Sequence, residues 1–131
     1  MPFSLDSYLG VHPDALKLQS KRTEVIADNL ANSDTPGYKA RDIDFRAAMA
    51  SAGSPDAPVK LAITNPGHMT MDPNSDVNLK YRTPLAPSLD GNTVDAQQEQ
   101  AAFAENTVRY QATLTFLSAR FKGLMTAITG Q

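Results

Sequence analysis

Apolar residues recur along the C-terminal third at alternating spacings of four and three: Phe103, Thr107, Tyr110, Leu114, Leu117, Phe121, Leu124 and Ile128, with Thr107 the one polar member. This is the a/d seam of a coiled-coil-like helix, sustained for nearly four heptads. No proline follows Pro87, so the pattern predicts one helix from about Asp95 to Thr129, roughly 50 Å long at 1.5 Å per residue. Asn92 and Thr93 read as N-caps, Asp95 and Glu99 place acid where the helix dipole favours it, and Gly130 marks the end. Among residues 95 to 129 only Asp95, Glu99, Glu105, Arg109, Arg120 and Lys122 are charged. Flanks of small uncharged residues predict neighbours on more than one side.

A second, poorer seam runs near the N-terminus through Leu5, Leu9, His12, Leu16, Gln19, Thr23, Ile26 and Leu30. Gly10 and Pro13 interrupt it, which predicts a helix from Pro13 to about Asn32 with a looser turn before it. The separation of the two helices leaves the chain room to return, so an antiparallel pair joining both termini follows. Between them, alternation at Val59, Leu61 and Ile63 and again at Val77, Leu79 and Tyr81 predicts two short strands and a small hairpin. Residues 46–58, rich in alanine, serine and proline, read as a mobile link. The fold class is therefore mainly α: long terminal helices packed as an antiparallel coiled-coil-like pair, residues 1–32 and 93–131, around a loop-rich, β-containing middle region, residues 33–92.

Composition narrows the function. A chain of 131 residues has room for one core, and Ile, Leu, Val and Phe together number only 27, so the monomer has little large apolar surface to bury. The net charge of −2, with the 12 basic residues scattered, gives nucleic acid no electrostatic footprint. The opening MPFSLDSYLG lacks the basic region and apolar core of a signal peptide, and the absence of cysteine removes thiolate metal sites and cysteine nucleophiles.

Candidate chemistry is thin. His12-Pro13-Asp14 reads as a helix start. Asp72, Asn74 and Asp76 imitate a calcium loop, but Val77 and Thr83 stand where it needs glycine and glutamate. His12 and His68 are far apart, and Asp42 and Asp44, flanked by Arg41 and Arg46, read as a solvated charge cluster. No catalytic, cofactor or metal site emerges, and no small-molecule substrate is expected.

The stretch from Asn29 to Tyr38 is better defined. Asn32 suits the left-handed conformation at a helix end, Pro36 pushes Thr35 extended, and Pro36-Gly37 suits the centre of a type II turn that throws Tyr38 back toward the helix. The run Ala31-Asn32-Ser33-Asp34-Thr35-Pro36-Gly37-Tyr38 resembles the N-terminal signature of the axial proteins of the bacterial flagellum. Lys39 to Phe45, Tyr81 to Pro84, Pro87 to Val94 and Asn106 to Tyr110 resemble the proximal-rod members of that family, with Asp90, Gly91, Asn92, Thr93 and Val94 the more discriminating segment.

The resemblance implies a non-enzymatic structural subunit of the proximal rod. Such subunits leave the cell through the flagellar type III export apparatus without a cleaved signal and polymerise into a hollow tube in the periplasmic space. Expected neighbours are the membrane-embedded ring, FliE, FlgC and further copies of the same chain. Leu16, Ile26, Leu30, Phe103, Tyr110, Leu114, Leu117, Phe121, Leu124 and Ile128 are the expected subunit-packing residues, and Asn29, Ala31, Asn32, Thr35, Pro36, Gly37 and Tyr38 the signature turn. The alternative is a soluble adaptor that pairs through the same seam with a partner coiled coil, giving a closed complex where a rod subunit gives open arrays.

Overall fold

The computed structural model describes residues 5–52, 65, 79–84 and 88–130. The element order is α1 (Leu5–Leu9), α2 (His12–Ala31), β1 (Arg41–Ile43), α3 (Phe45–Ala52), β2 (Leu79–Tyr81) and α4 (Ala96–Thr129). The chain is mainly helical, and α2 and α4 pack antiparallel along their length.

Local chemistry sets the ends of each helix. Gly10, at φ +59°, separates α1 from α2, and Pro13 occupies the first turn of α2, where a missing N–H costs nothing. The cap of α4 is Asp95 and not Asn92 or Thr93: its carboxylate accepts from the N–H groups of Gln97 and Gln98 at 3.0 and 3.2 Å. Gly130 closes α4 in the left-handed conformation, its N–H bonded to the carbonyl of Thr126.

The middle region departs from expectation at its start. Phe45–Ala52 is helical, not a link. Alanine is the strongest helix former, and Asp44 supplies the missing start signal, its carboxylate accepting from the N–H of Ala47 at 3.0 Å. β2 pairs with Arg41–Ile43, in antiparallel register Arg41 to Tyr81, Asp42 to Lys80 and Ile43 to Leu79. The expected strand at 59–64, the calcium-like residues 72–77 and His68 lie outside the described residues.

The apolar core is small. Val25, Ile43 and Ala48 cluster with Leu18 against them, which seats β1 and α3 on α2, while Leu9, Ile26 and Ala40 complete the buried apolar set among the described residues. The largest fully buried side chains are Ile26, Glu99, Asn29 and Asn106, three of them polar. Buried polar groups are tolerated only when bonded, so the pairing of α2 with α4 depends on where those bonds go.

Candidate functional site

Two segments far apart in sequence meet at the end of α2. The N–H of Asn32 bonds back to the carbonyls of Asp28 and Asn29, and Thr35-Pro36-Gly37-Tyr38 then forms the type II turn, Gly37 at φ +74° and the N–H of Tyr38 bonded to the carbonyl of Thr35. Asn32 itself sits at φ −107°, not in the left-handed region, so the reversal rests on Gly37 alone. Into this turn comes the strap 90–94: the Gly37 N–H donates to the Asp90 carbonyl at 2.9 Å, the Thr93 N–H to the Tyr38 carbonyl at 3.0 Å, and the Ala40 N–H to the Thr93 hydroxyl at 2.8 Å. Gly91 passes so close that a Cβ there would stand 3.8 Å from the Gly37 Cα.

Asn92 holds the two together. Its buried amide donates to the carbonyls of Asn32, Ser33 and Thr35 at 3.0, 2.7 and 3.1 Å, while its Oδ1 accepts from the N–H of Val94. Those carbonyls lie in the turn that leaves α2, where the Asn32 and Thr35 carbonyls also accept from the N–H groups of Thr35 and Tyr38. A residue just before α4 thus caps α2.

Asn29 is the second junction. Fully buried, its Nδ2 donates to the Arg41 carbonyl at 2.7 Å and to Glu99 Oε2 at 3.2 Å, and its Oδ1 accepts from the Arg41 N–H at 3.1 Å. The Tyr38 hydroxyl reaches the same oxygen at 3.5 Å. One side chain therefore joins α2, β1, the turn and α4.

Beside it lies a chain of ion pairs. Arg22 grips Asp42 with two bonds of 2.9 Å, and Arg82 bridges Asp42 at 2.8 Å to Glu99 at 2.5 Å. Asp42 is thus a bound anion and not a solvated one, and its partners are Arg22 and Arg82 in place of the flanking Arg41 and Arg46; Asp44 pairs with Lys80 at the surface. Burial opposes the charge on Asp42, but bonds from Arg22, the Ile43 N–H and Arg82 outweigh it and hold its carboxyl below the ordinary range. Burial dominates at Glu99 and pushes that carboxyl up, against the pull of Asn29 and Arg82.

The face that α4 turns to α2 is polar. Glu99, Asn106 and Thr113 bond to α2, and the half-buried Ala102, Tyr110, Leu117 and Leu124 share their side. This line is rotated by roughly 50°, at 100° per residue, from the apolar seam read in the sequence. Phe103, Leu114 and Phe121 consequently lie on one flank, 41%, 44% and 43% exposed, with Met125 and Ile128 more open still. Leu16 and Leu30 are half-buried, and Ile26 is closed inside the chain.

A sequence model for the flagella basal body rod protein family matches residues 9–39, which span α2 and its turn. The chain is 42% identical to the flagellar basal body rod protein FlgB of Aeromonas hydrophila, over 100% of this chain and 99% of that one. It is 48% identical to FlgB of Cereibacter sphaeroides over 94% of each chain, and 42% identical to FlgB of Salmonella typhimurium over 96% of each. The chain belongs to the FlgB family of flagellar basal body rod proteins. Its place is the flagellar basal body, its role that of a structural rod component, and its partners are other components of that body.

Within this FlgB-family chain, the turn yields a direct test. Gly37→Val should lower stability by about 1–2 kcal/mol, the ordinary cost of a left-handed conformation for a residue with a Cβ. A Cβ at Gly37 meets nothing within 4 Å, so the effect is conformational and not a clash. Thermal melts check this, and an unchanged midpoint would contradict the turn's dependence on Gly37.

The ion pairs give a pH dependence. Because the folded carboxyl of Asp42 titrates below its unfolded value, its contribution is complete above about pH 4 and is lost as pH falls through the folded value. Glu99, raised, acts in the opposite sense: its contribution declines as pH rises through the carboxylate range. Asp42→Asn should therefore cost about 2 kcal/mol at pH 7, in the range for bonds to charged groups. In urea titrations the gap from wild type should narrow below pH 4; a constant gap would contradict the assignment.

Proposed function

We propose that the chain polymerises as a subunit of the proximal rod, through the flank of α4 that its own fold leaves open. One observation carries the reading. The fully buried residues of α4 are Glu99 and Asn106, whereas Phe103, Leu114, Phe121 and Met125 are exposed. A helix that turns its polar line inward and its large apolar residues outward has its apolar burial still to make. Leu16, Leu30, Tyr110, Leu117 and Leu124, half-buried, border that surface, and Ile128 extends it toward the C-terminus. Ile26, with no exposed area, supports the pair from within.

In this reading the terminal segments, 1–32 and 93–131, form the axial wall of a hollow drive shaft and export channel, and residues 33–92 face outward. The neighbours are further copies of the chain, FlgC, FliE and the membrane ring. Delivery is through the flagellar type III export apparatus without a cleaved signal, to the periplasmic span of the rod, and the role is structural and not catalytic. Contacts of this kind are heterologous, one patch meeting a different patch on the next copy, so they do not close.

Oligomeric form tests the proposal. Purified chain mixed with FlgC should give species that grow with concentration to no fixed endpoint in sedimentation velocity, and short rods in electron micrographs. A single closed complex of fixed stoichiometry would favour the coiled-coil adaptor instead.

A further inference from the structure

The contacts between α2 and α4 form a ladder. Along α4 the polar rungs Glu99, Asn106, Thr113 and Arg120 fall seven residues apart. Asn29 donates to Glu99 at 3.2 Å. Asn106 donates to the Gln19 carbonyl at 2.8 Å and to the Thr23 hydroxyl at 2.9 Å. Gln19 Nε2 donates to the Thr113 hydroxyl at 3.2 Å. Arg120 and Tyr8 close the far end, the Tyr8 hydroxyl donating to the Arg120 carbonyl, the Arg120 guanidinium donating to the Tyr8 carbonyl and lying 5.7 Å from the centre of the Tyr8 ring.

The apolar residues on or beside this face repeat with the same spacing: Phe103, Tyr110, Leu117 and Leu124 are likewise seven apart. They differ from the rungs in one respect. Phe103, Tyr110 and Leu117 are each followed a heptad later by another apolar residue, so a slip of α4 by one heptad largely replaces like with like. The polar rungs are an acid, an amide, a hydroxyl and a guanidinium, each matched to its own partner. A heptad slip in one direction sets Asn106 opposite Asn29 and carries Glu99 beyond the end of α2. In the other direction Asn106 stands opposite Ala15, and Asn29 faces residue 92, outside α4.

We propose that this non-repeating polar ladder sets the axial register of α2 against α4, which the repeating apolar residues leave undetermined. A polar group at one seam position is a known means of fixing register in coiled coils, at a cost in stability. That cost is visible here: Gln19 Oε1 is buried with no partner among the described residues. The inference concerns contacts within the chain and does not depend on what covers the outer flank of α4.

The chain contains no cysteine, so introduced labels are unique. Lys17→Cys and Gln97→Cys, both at exposed positions, carry nitroxide labels whose separation, measured by pulsed electron resonance on the full chain, reads the register. The otherwise unaltered chain should give one narrow distance. With Gln19→Leu and Asn106→Leu added, helicity and thermal midpoint should be kept or raised while a second population appears, displaced by about 10 Å, one heptad at 1.5 Å per residue. If the double variant loses helicity, Asn106→Ala replaces it and should broaden the distance without unfolding. A single unshifted distance in the folded variants would overturn the proposal, as would a broad distribution in the unaltered chain or loss of helicity in both variants.

Discussion

Replacing Phe121 by Asp should leave the isolated chain folded and abolish swimming. Phe121 is 43% exposed and lies on the flank of α4 away from α2, so in the monomer the new charge stays hydrated and the change in stability should fall within about 0.5 kcal/mol. In the proposed wall the same position would be covered by a neighbour. An unpaired carboxylate there costs several kcal/mol in desolvation, and the cost recurs at every copy. Circular dichroism melts of the purified variant together with soft-agar swimming of cells carrying it separate the two effects. Leu117→Asp makes the contrast: Leu117 is half-buried on the side facing α2, so that variant should lose both the thermal midpoint and swimming. A Phe121→Asp strain that swims normally would remove the outer flank of α4 from the assembly surface.

Asn92→Ala should strongly destabilise the folded chain. It deletes the donor to three carbonyls at the end of α2 and the acceptor for the Val94 N–H. Two amide hydrogens are shared among the three acceptors, of which the Asn32 and Thr35 carbonyls keep the N–H groups of Thr35 and Tyr38, so the loss corresponds to two donated hydrogen bonds and the one accepted from Val94. That is about 2–3 kcal/mol, or a fall in melting temperature on the order of 10 °C for a domain of this size. Asn92→Asp keeps the acceptor but points a negative charge at three carbonyl oxygens, and it should be no better than alanine. A melting temperature within 2 °C of wild type, on the order of the error in such melts, would show that the strap does not cap α2.

The two long helices and their antiparallel pairing were legible because period and breakers agree over many residues: no proline interrupts α4, and Pro13, Gly37 and Gly130 mark boundaries by conformation alone. Counting only apolar positions misplaced the face of α4. The heptad of Glu99, Asn106, Thr113 and Arg120 is equally regular, but polar residues at that spacing ordinarily mark a solvated face. α3 was hidden by composition, since Ala47, Ala48 and Ala50 beside Ser51 resemble a linker unless Asp44 is recognised as a cap. The β1–β2 pairing joins three-residue strands across a long separation; alternation marked β2, whereas Arg41-Asp42-Ile43 carries too little of it to be read as a strand. The turn was readable from Pro36 and Gly37, whereas its closure by Asn92 is a tertiary contact without any local signal.

In the proposed rod the outer flank of α4 meets other polypeptides. Benzoylphenylalanine in place of Phe121 keeps an aromatic ring at the position and reports its neighbours on illumination of swimming cells. Adducts between this chain and another rod subunit or a second copy of itself are the predicted result; motile cells in which the labelled chain stays monomeric after illumination would contradict it.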